Sequence, residues 1–294
     1  MTHREPVRRR AAGRYRGATI AVGTRHGKEH QFEPPFREVL GARLVTPADL
    51  DTDRFGTFTG EAARRGTALD AARAKAGLAM AVSGLPLALA SEASYGPLPG
   101  SGWLGHEELL LFCDAESGVE VLEGYRTAAV PAAGQTVTAF DEVAPPLLAG
   151  LARQAVIARP HQPTSVAAIN KGITKGITNP DALRTAIEVA AASSTDGAAV
   201  VEPDLRAHHN PSRRRVLAEL ALALAHRIAA ECPDCGTPGF GRVRTEPGLR
   251  CRQCGTPTPM SAAEIHGCTA CPALLTHPVE APSAEPRHCP QCNP

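Results

Sequence analysis

Eight of the nine cysteines in this sequence of 294 residues lie in its last quarter, and all eight belong to Cys-x-x-Cys pairs. Two intervening residues let both thiolates turn toward one point, and four thiolates make the tetrahedral site that zinc favours. The pairs are Cys232 with Cys235, Cys251 with Cys254, Cys268 with Cys271, and Cys289 with Cys292. The sequence therefore predicts two structural Zn2+ ions in a zinc-ribbon-like tail over residues 231–294, a segment in which metal binding supplies the folding free energy.

The spacing between the pairs bears on which of them share an ion. Fifteen residues separate the first pair from the second, seventeen separate the third from the fourth, and the central gap is thirteen. Zinc sites built from two such pairs have about 15 to 20 residues between them. The spacing favours successive pairing, first with second and third with fourth, and leaves an interleaved arrangement as the alternative. A disulfide framework is disfavoured, because no secretory signal is predicted.

Other residues near the cysteines fit a zinc-binding tail. Gly236 and Gly255 follow the first two pairs, where a residue free to adopt a positive φ lets backbone amides point back at the thiolates. His266, His277 and His288 could replace a ligand, but with eight paired cysteines present we expect them to be bystanders.

Acidic and basic residues near the ends of predicted strands form a second candidate site. Lys28 lies in the first loop after a strand, which is the usual ligand edge of an α/β sheet. Glu92 follows the apolar run 85–90, and carboxylates at strand ends can hold a divalent cation that neutralises phosphate oxygens. A lysine supplies the compact charge that suits a phosphate. Only four of the 31 basic residues are lysines: Lys28, Lys75, Lys171 and Lys175.

Two short segments in the first loop resemble known motifs but do not meet their requirements. Residues 23–28 have only three residues between the glycines and Glu29 after Lys28, so they do not form a Walker phosphate loop. Residues 26–30 match the His-x-x-Glu-His pattern of inverted zinc proteases, but Pro34 and Pro35 leave too little helix to carry it.

Alternating strand and helix patterns must position these side chains. We predict an α/β fold with a mixed central sheet flanked by helices and a small C-terminal zinc-ribbon-like domain. Asn179 and Asn210 each precede a proline, which predicts helices over 181–193 and 212–230. A long helix is predicted over 61–82. Strands are predicted at 18–24, 43–46, 85–90, 108–113, 119–122, 155–159 and 198–202. The predicted organisation is a basic flexible arm over 1–17, an α/β body over 18–230 and the tail over 231–294.

Three segments in order resemble the motifs of inosine triphosphate pyrophosphatase and Maf-type nucleotide hydrolases. They are Thr-Arg-His-Gly-Lys at 24–28, Asp-Ala-Ala-Arg-Ala-Lys-Ala at 70–76, and Gly-Leu-Pro-Leu-Ala-Leu-Ala-Ser-Glu at 84–92. Near the end of the body, Asn-Pro-Ser-Arg-Arg-Arg at 210–215 is similar to the helix with which that family contacts its nucleotide.

The resemblance to these hydrolases implies roles for individual residues. Lys28 and Lys75 would meet phosphates, and Asp70 and Glu92 would hold Mg2+. Thr24 and His26 would lie in the substrate loop, His26 being nearest to the family's asparagine. Arg213 or Arg214 would meet the base or a phosphate.

The full length also resembles an uncharacterised bacterial family with four C-terminal Cys-x-x-Cys pairs. The segments that carry this similarity include Ala-Ser-Glu-Ala-Ser-Tyr-Gly-Pro at 90–97 and Asp-Leu-Arg-Ala-His-His-Asn-Pro at 204–211. Within the second segment and just before it, Glu202, Asp204, Arg206 and His208 form a dense polar cluster after a strand. We expect Arg206 and His208 to contact substrate.

Two functions follow from these patterns. The first is a metal-dependent hydrolase of a nucleotide or another phosphorylated small molecule, with a structural zinc tail. The alternative is a non-enzymatic zinc-ribbon adaptor whose tail binds protein or nucleic acid. Each function requires its own surface, a pocket at the sheet edge for the hydrolase and the tail for the adaptor.

Composition limits the other classes of function. A formal net charge of +1 and 4% aromatic residues give no general basis for nucleic-acid binding. The longest apolar run, residues 76–90, contains Ser83, Gly84 and Pro86 and is shorter than the about 20 residues of a membrane span. We therefore expect a cytoplasmic protein without a membrane segment. The sequence does not predict the oligomeric state.

Overall fold

The computed structural model describes residues 13–24, 27–48, 50–52, 55, 66–98, 103–130, 133–165, 168 and 171–294. Most of the predicted basic arm and His26 lie outside these residues. In the described chain, no helix combines the length and the apolar character that a membrane crossing requires. The fold is mixed α/β, as the sequence predicts, with three separate sheets.

The first sheet contains parallel and antiparallel strands in the order β2-β1-β3-β4-β5. β1 pairs in parallel with β2 and with β3, whereas β3, β4 and β5 form an antiparallel meander. β1 and β2 span Thr19–Val22 and Arg43–Val45. β3, β4 and β5 span Leu87–Pro97, Leu104–Asp114 and Val119–Thr127. The predicted mixed central sheet is therefore present, but its long strands extend well beyond the predicted apolar runs.

Helices cover both faces of this sheet. On one face lie α1 (Glu29–Pro35), the π-helical turn Phe36–Leu40 that continues it, and α5 (Pro211–Ala229). On the other face lies α2 (Ala68–Ser83), whose alanines pack against the alanines of β1 and β3. A Cβ at Gly23 would lie 2.7 Å from the carbonyl oxygen of Lys75. The small residues therefore bring α2, and Lys75 with it, close to the end of β1.

The second sheet has a core of its own. It is antiparallel, in the order β6-β9-β7-β8, and is covered by α3 (Pro145–Gly150) and α4 (Pro180–Ala192). Its strands are β6 (Gln135–Val137), β7 (Val156–Pro160), β8 (Thr174–Ile177) and β9 (Ala199–Pro203). The segment predicted as one α/β body thus contains two sheets.

Both asparagine–proline pairs start helices, as predicted. The Asn179 side chain accepts a hydrogen bond from the amide of Ala182, and the Asn210 side chain accepts one from the amide of Arg213. These bonds satisfy backbone donors that the first helical turn leaves without partners. The cap at Asn210 consequently fixes the residues at the start of α5, including Arg213.

The third sheet forms the tail. Its strands β10 (Gly241–Pro247), β11 (Ser261–Gly267) and β12 (Leu274–Pro278) make an antiparallel meander. The tail contacts the body through Arg227 of α5, whose Nε donates to the Gly239 carbonyl at 3.1 Å and whose Nη1 donates to the Leu122 carbonyl at 2.9 Å. One end of the tail is therefore anchored to β5 and α5.

Candidate functional site

The eight paired cysteines gather into two groups of four. The first group is Cys232, Cys235, Cys268 and Cys271, and the second is Cys251, Cys254, Cys289 and Cys292. Within each group all sulfur atoms lie within 4.8 Å of one another. A tetrahedral zinc site with Zn–S bonds of about 2.3 Å has S···S edges of about 3.8 Å. Distances of 3.6 Å for Cys232–Cys271 and 3.9 Å for Cys251–Cys292 match these edges, so each group fits one zinc ion.

The pairing is interleaved, so the successive pairing favoured by the spacing is wrong. First and third pairs share one group, and second and fourth pairs share the other. The reason is the meander of β10, β11 and β12, since each strand carries the chain from one end of the sheet to the other. Gly241 at the start of β10 pairs with Gly267 at the end of β11, which brings the pairs beside them together. The number of residues between the pairs does not show at which end of the sheet each pair lies.

The first two cysteine pairs have the same local structure. Each continues as Gly-Thr-Pro, and the glycines, Gly236 and Gly255, have φ values of 71° and 74°. Their amides donate to the carbonyls of Cys232 and Cys251 at 2.9 Å each, which closes the turn. Hydrogen bonds with the following threonine lower the pKa of Cys235 and of Cys254 to about 6. Lowered thiol pKa values favour the thiolate that a metal ion binds.

The histidines of the tail lie outside both cysteine groups, as predicted. His266 and His277 contact each other with ring centroids 4.4 Å apart on β11 and β12. Glu264 lies 3.4 Å from His266 Nε2 and also pairs with Arg242. The His266–His277 and Arg242–Glu264 contacts are ordinary cross-strand contacts, and Glu264 and His266 are neighbours on one face of β11.

A charged cluster lies where β1 ends and β3 continues. It consists of Lys28, Lys75, Glu92, Glu108 and Arg213. The sequence predicts that Glu92 follows the end of a strand. In the structure, Glu92 instead lies in the interior of β3. Alternation along β3 places Glu92 on the α2 side, where its carboxylate forms a buried ion pair with Lys75. Lys28, just before α1, reaches the other side and donates from Nζ to Ser91 Oγ at 3.0 Å.

Glu108 and Arg213 form the centre of this cluster. Arg213 donates from Nε and Nη2 to the two Glu108 carboxylate oxygens, at 2.8 Å each. Both side chains are buried, with side-chain exposures of 1% for Arg213 and 0% for Glu108. His106 Nε2 lies 3.2 Å from Glu108 Oε2. The pair therefore links β4 to the start of α5 and orients the His106 ring.

The electrostatics of the cluster are dominated by its three cations. Burial, with the charges of Arg213 and Lys75, lowers the pKa of Lys28 to about 8. Burial raises the pKa of Glu108, but Arg213, His106 and Lys28 outweigh this effect and lower the pKa to about 2. Among the described residues, three cations and two carboxylates leave the cluster with one excess positive charge. The arrangement can therefore accept an anion.

Asp70 does not join the cluster. Its carboxylate accepts from the amide and the hydroxyl of Thr67, at 2.9 Å and 2.7 Å, in the capping box that starts α2. These hydrogen bonds lower the pKa of Asp70. With Glu92 paired to Lys75, the two predicted Mg2+ ligands do not converge. The groups of potential metal ligands found among the described residues are the two cysteine groups.

Replacing Asp70 with alanine is expected to lower the free energy of unfolding by about 1 kcal/mol, because the substitution removes half of the capping box. Urea denaturation of the purified protein measures this change. Asp181→Ala, in the first turn of α4, is the matched control, since the cap there is made by Asn179. A larger loss together with loss of bound Mg2+ would favour the ligand role instead.

The remaining predicted substrate residues lie in three places. Thr24 is buried directly after β1, and its amide donates to the Val22 carbonyl at 3.0 Å. Arg206 forms a two-pronged ion pair with buried Asp204 through bonds of 3.0 Å and 2.6 Å, and His208 follows in the same loop. Arg214 is exposed and donates to the His208 carbonyl at 3.3 Å. His26 lies outside the described residues.

Sequence reasoning missed Glu108 and His106. The signal was available, because two polar residues at positions i and i+2 of a strand face the same side. His106 and Glu108 precede the run Leu109–Phe112, which is buried. Polar side chains sharing one face of a buried strand require partners in the structure. Arg213 is one such partner, and it lies 105 residues away in sequence.

Of three comparisons with known proteins, one found a match, to a family model. No curated protein and no solved structure matches the chain, so the similarity to nucleotide hydrolases finds no support there. A family model described as "Domain of unknown function (DUF6671)" matches residues 75–294. The matched segment includes Lys75, Glu92, Glu108, Arg213 and both cysteine groups, whereas Lys28 precedes it. The chain therefore belongs to the DUF6671 family.

Proposed function

We propose that the body binds a phosphorylated small molecule where β1 ends beside the interior of β3, and that Lys28 holds a phosphate group there. The observation that carries this proposal is the state of Lys28. Lys28 is half-buried, and among the described residues its ammonium group bonds to a neutral hydroxyl, that of Ser91, with no carboxylate within 4.0 Å. Glu108 and Glu92 attract this cation from beyond 4.0 Å, and a ligand phosphate would supply a direct counter-charge.

The topology of the first sheet supports the same location. The chain leaves β1 through α1 toward β2, and it leaves β3 in the opposite direction toward β4. In α/β sheets, ligands bind in the crevice that forms where neighbouring connections diverge. Lys28 follows the carboxyl end of β1, and Ser91 lies beside it in the interior of β3, before that strand ends at Pro97. The start of α5, which carries Arg213, faces the same cluster and adds the positive end of a helix dipole.

Magnesium-dependent hydrolysis receives less support from the geometry than anion binding does. Glu92 is neutralised by Lys75, and Asp70 is engaged by Thr67. Mg2+ prefers several oxygen ligands at one point, and the described residues do not offer such a set here. The proposal therefore concerns binding, and hydrolysis is measured in the same experiment.

The charge distribution of the tail also favours the body as the ligand site. Three of the tail's arginines lie beside carboxylates, in Arg242–Glu264, Arg244–Glu246 and Arg252–Glu285 ion pairs of 3.1, 3.6 and 3.0 Å. A surface that binds nucleic acid leaves such charges available for phosphates. The nucleic-acid version of the adaptor hypothesis is accordingly weaker than a ligand site on the body.

Replacing Lys28 with methionine is expected to weaken binding of pyrophosphate and ATP by about tenfold or more, because a charge-assisted hydrogen bond contributes about 1.5–3 kcal/mol. Isothermal titration calorimetry measures the affinities at low salt. Wild-type affinity is also expected to fall as the pH rises through about 8, since the Lys28 ammonium then loses its charge. Lys28→Met is expected to flatten this pH dependence.

Lys171→Met is the matched control, because Lys171 is an exposed lysine in the segment that precedes β8. Lys28→Arg keeps the charge and is expected to retain binding within a few-fold. Phosphate release is followed in parallel, with and without Mg2+. Failure of the wild-type protein to bind any phosphorylated compound, or equal binding by Lys28→Met, would refute the proposal.

A further inference from the structure

A cavity of about 430 Å3 opens between the first and second sheets, next to the charged cluster. Its wall on the first sheet consists of Tyr95, His106 and Tyr125, from β3, β4 and β5. Its opposite wall is mostly apolar, comes mainly from α3, β7 and the start of α5, and also carries Gln154 and Ser212. We call it the aromatic cavity. Its volume lies within the range of about 300–1,000 Å3 typical of small-molecule sites.

Aromatic side chains are concentrated here in a chain that has few of them. The sequence contains three tyrosines, and two of them line this cavity. The rings of Tyr95 and His106 are stacked, with centroids 4.4 Å apart and planes 8° from parallel. Tyr125 meets His106 edge-on, with centroids 6.4 Å apart. Flat rings in this arrangement form a surface on which another flat ring can stack.

One polar group on this wall has a defined orientation. The Glu108 carboxylate is held by Arg213 and can only accept hydrogen bonds, so its contact with His106 Nε2 places the ring proton on that nitrogen. In the neutral imidazole the other ring nitrogen, Nδ1, is then a hydrogen-bond acceptor. The His106 ring thus combines a stacking surface with one acceptor at its edge.

The aromatic cavity and the Lys28 site lie along the same face of β3. Ser91, which bonds Lys28, and Tyr95 lie on the same face of β3, about 13 Å apart at about 3.3 Å per residue. Glu108 lies between them, paired with Ala93 in the register of β3 and β4. A ligand with a phosphate at Lys28 and another group in the aromatic cavity would have to extend around the buried Glu108–Arg213 pair.

We infer that the aromatic cavity binds a planar heteroaromatic ring with an N–H donor, so that the phosphorylated ligand is a nucleotide or a compound of that type. The ring stacks beside Tyr95 and Tyr125 and donates to His106. This inference rests on the proposed function, because the ring is assigned to the same ligand as the phosphate. The apolar opposite wall excludes water from the stacked ring.

The test measures binding of four nucleosides, adenosine, guanosine, cytidine and uridine, and of pyrophosphate to the full chain. At least one nucleoside is expected to bind the wild-type protein. Tyr125→Leu is expected to weaken that binding about ten- to one-hundredfold, the loss that removal of a stacking ring produces. Tyr125→Phe keeps the ring and is expected to bind within a few-fold of the wild type, and Lys171→Met, at an exposed lysine outside the cavity, is expected to leave nucleoside binding unchanged.

The two proposals fail in different ways. If pyrophosphate binds and no nucleoside does, the ring inference is overturned while the proposed function stands. If a nucleoside binds and pyrophosphate does not, the ring site stands and the proposed function falls. Equal nucleoside affinity in Tyr125→Leu and the wild type overturns the ring inference. Should Tyr125→Leu fold poorly, as shown by its thermal melt, His106→Phe serves instead, since it keeps a stacking ring and removes the acceptor.

Discussion

Replacing Cys232 and Cys268 together with serine is expected to leave a protein that holds one zinc ion per chain, whereas replacing Cys232 and Cys251 is expected to leave none. The first two residues belong to one cysteine group, and Cys251 belongs to the other. A structural zinc site needs all four ligands, so losing one thiolate or two has nearly the same effect on occupancy. The second double variant damages both sites.

Zinc content is measured by elemental analysis after dialysis, per mole of protein. Successive pairing makes the opposite prediction, because Cys232 and Cys268 would then belong to different sites and their double variant would lose both ions. Cys113→Ser is the control, since Cys113 is buried in β4, away from both groups, and its substitution is expected to leave two ions. Wild-type protein with far less than two zinc ions per chain would contradict either pairing.

Metal removal is expected to unfold the tail. Apparent binding free energies of structural zinc in zinc-finger peptides are about 10–16 kcal/mol, which exceeds what a short sheet with exposed strands can supply. All seven residues of β10 and all five of β12 are exposed or half-buried. A chelator should therefore make the tail sensitive to proteases while the body, which has its own cores, stays resistant.

The sequence predicts local features of this protein well and distant ones poorly. The cysteine ligands are recognisable because both members of each pair lie in one turn. Helix starts at Pro180 and Pro211 are recognisable because the cap and the first turn are adjacent. The pairing of the cysteine groups depends instead on strand order in the tail, which brings together residues 33 to 41 positions apart.

The body shows the same contrast. Lys28, Lys75 and Glu92 could be selected from the sequence as candidates, and the structure places them in one cluster. Asp70 was selected with them, but it is the third residue of α2 and its carboxylate turns back to cap the helix. Glu108 could not be connected to Arg213, because the chain passes through the entire second sheet between them. Long-range charge pairs of this kind have no local pattern.

Arg213→Met is expected to lower the free energy of unfolding by about 3–5 kcal/mol, because removing one member of a buried ion pair leaves the other charge without compensation. Glu108 is fully buried, and its two oxygens are both bonded to Arg213. Urea denaturation measures the change. Arg214→Met is the matched control on the next residue, where an exposed arginine is expected to contribute less than about 0.5 kcal/mol.

The pH dependence of stability tests the same pair. The pKa of Glu108 is lowered from 4.5 to about 2, so its contribution is complete above pH 4.5 and is lost as the pH falls toward 2. Glu108→Gln is expected to reduce the wild-type loss of stability across this window. If the variant and the wild type lose stability in parallel, the carboxylate is not the group responsible.

The double variant Glu108→Leu with Arg213→Met distinguishes two contributions to the free energy of unfolding. One is the stabilisation by the intact ion pair, and the other is the destabilisation caused by a single buried charge without its partner. Because both buried charges are removed together, it is expected to be more stable than Arg213→Met alone. It also removes one cation of the charged cluster and the group that orients His106. A double variant that folds well but loses nucleoside binding would therefore assign the Glu108–Arg213 pair a role in arranging the ligand site, whereas full retention of binding would restrict its role to stability.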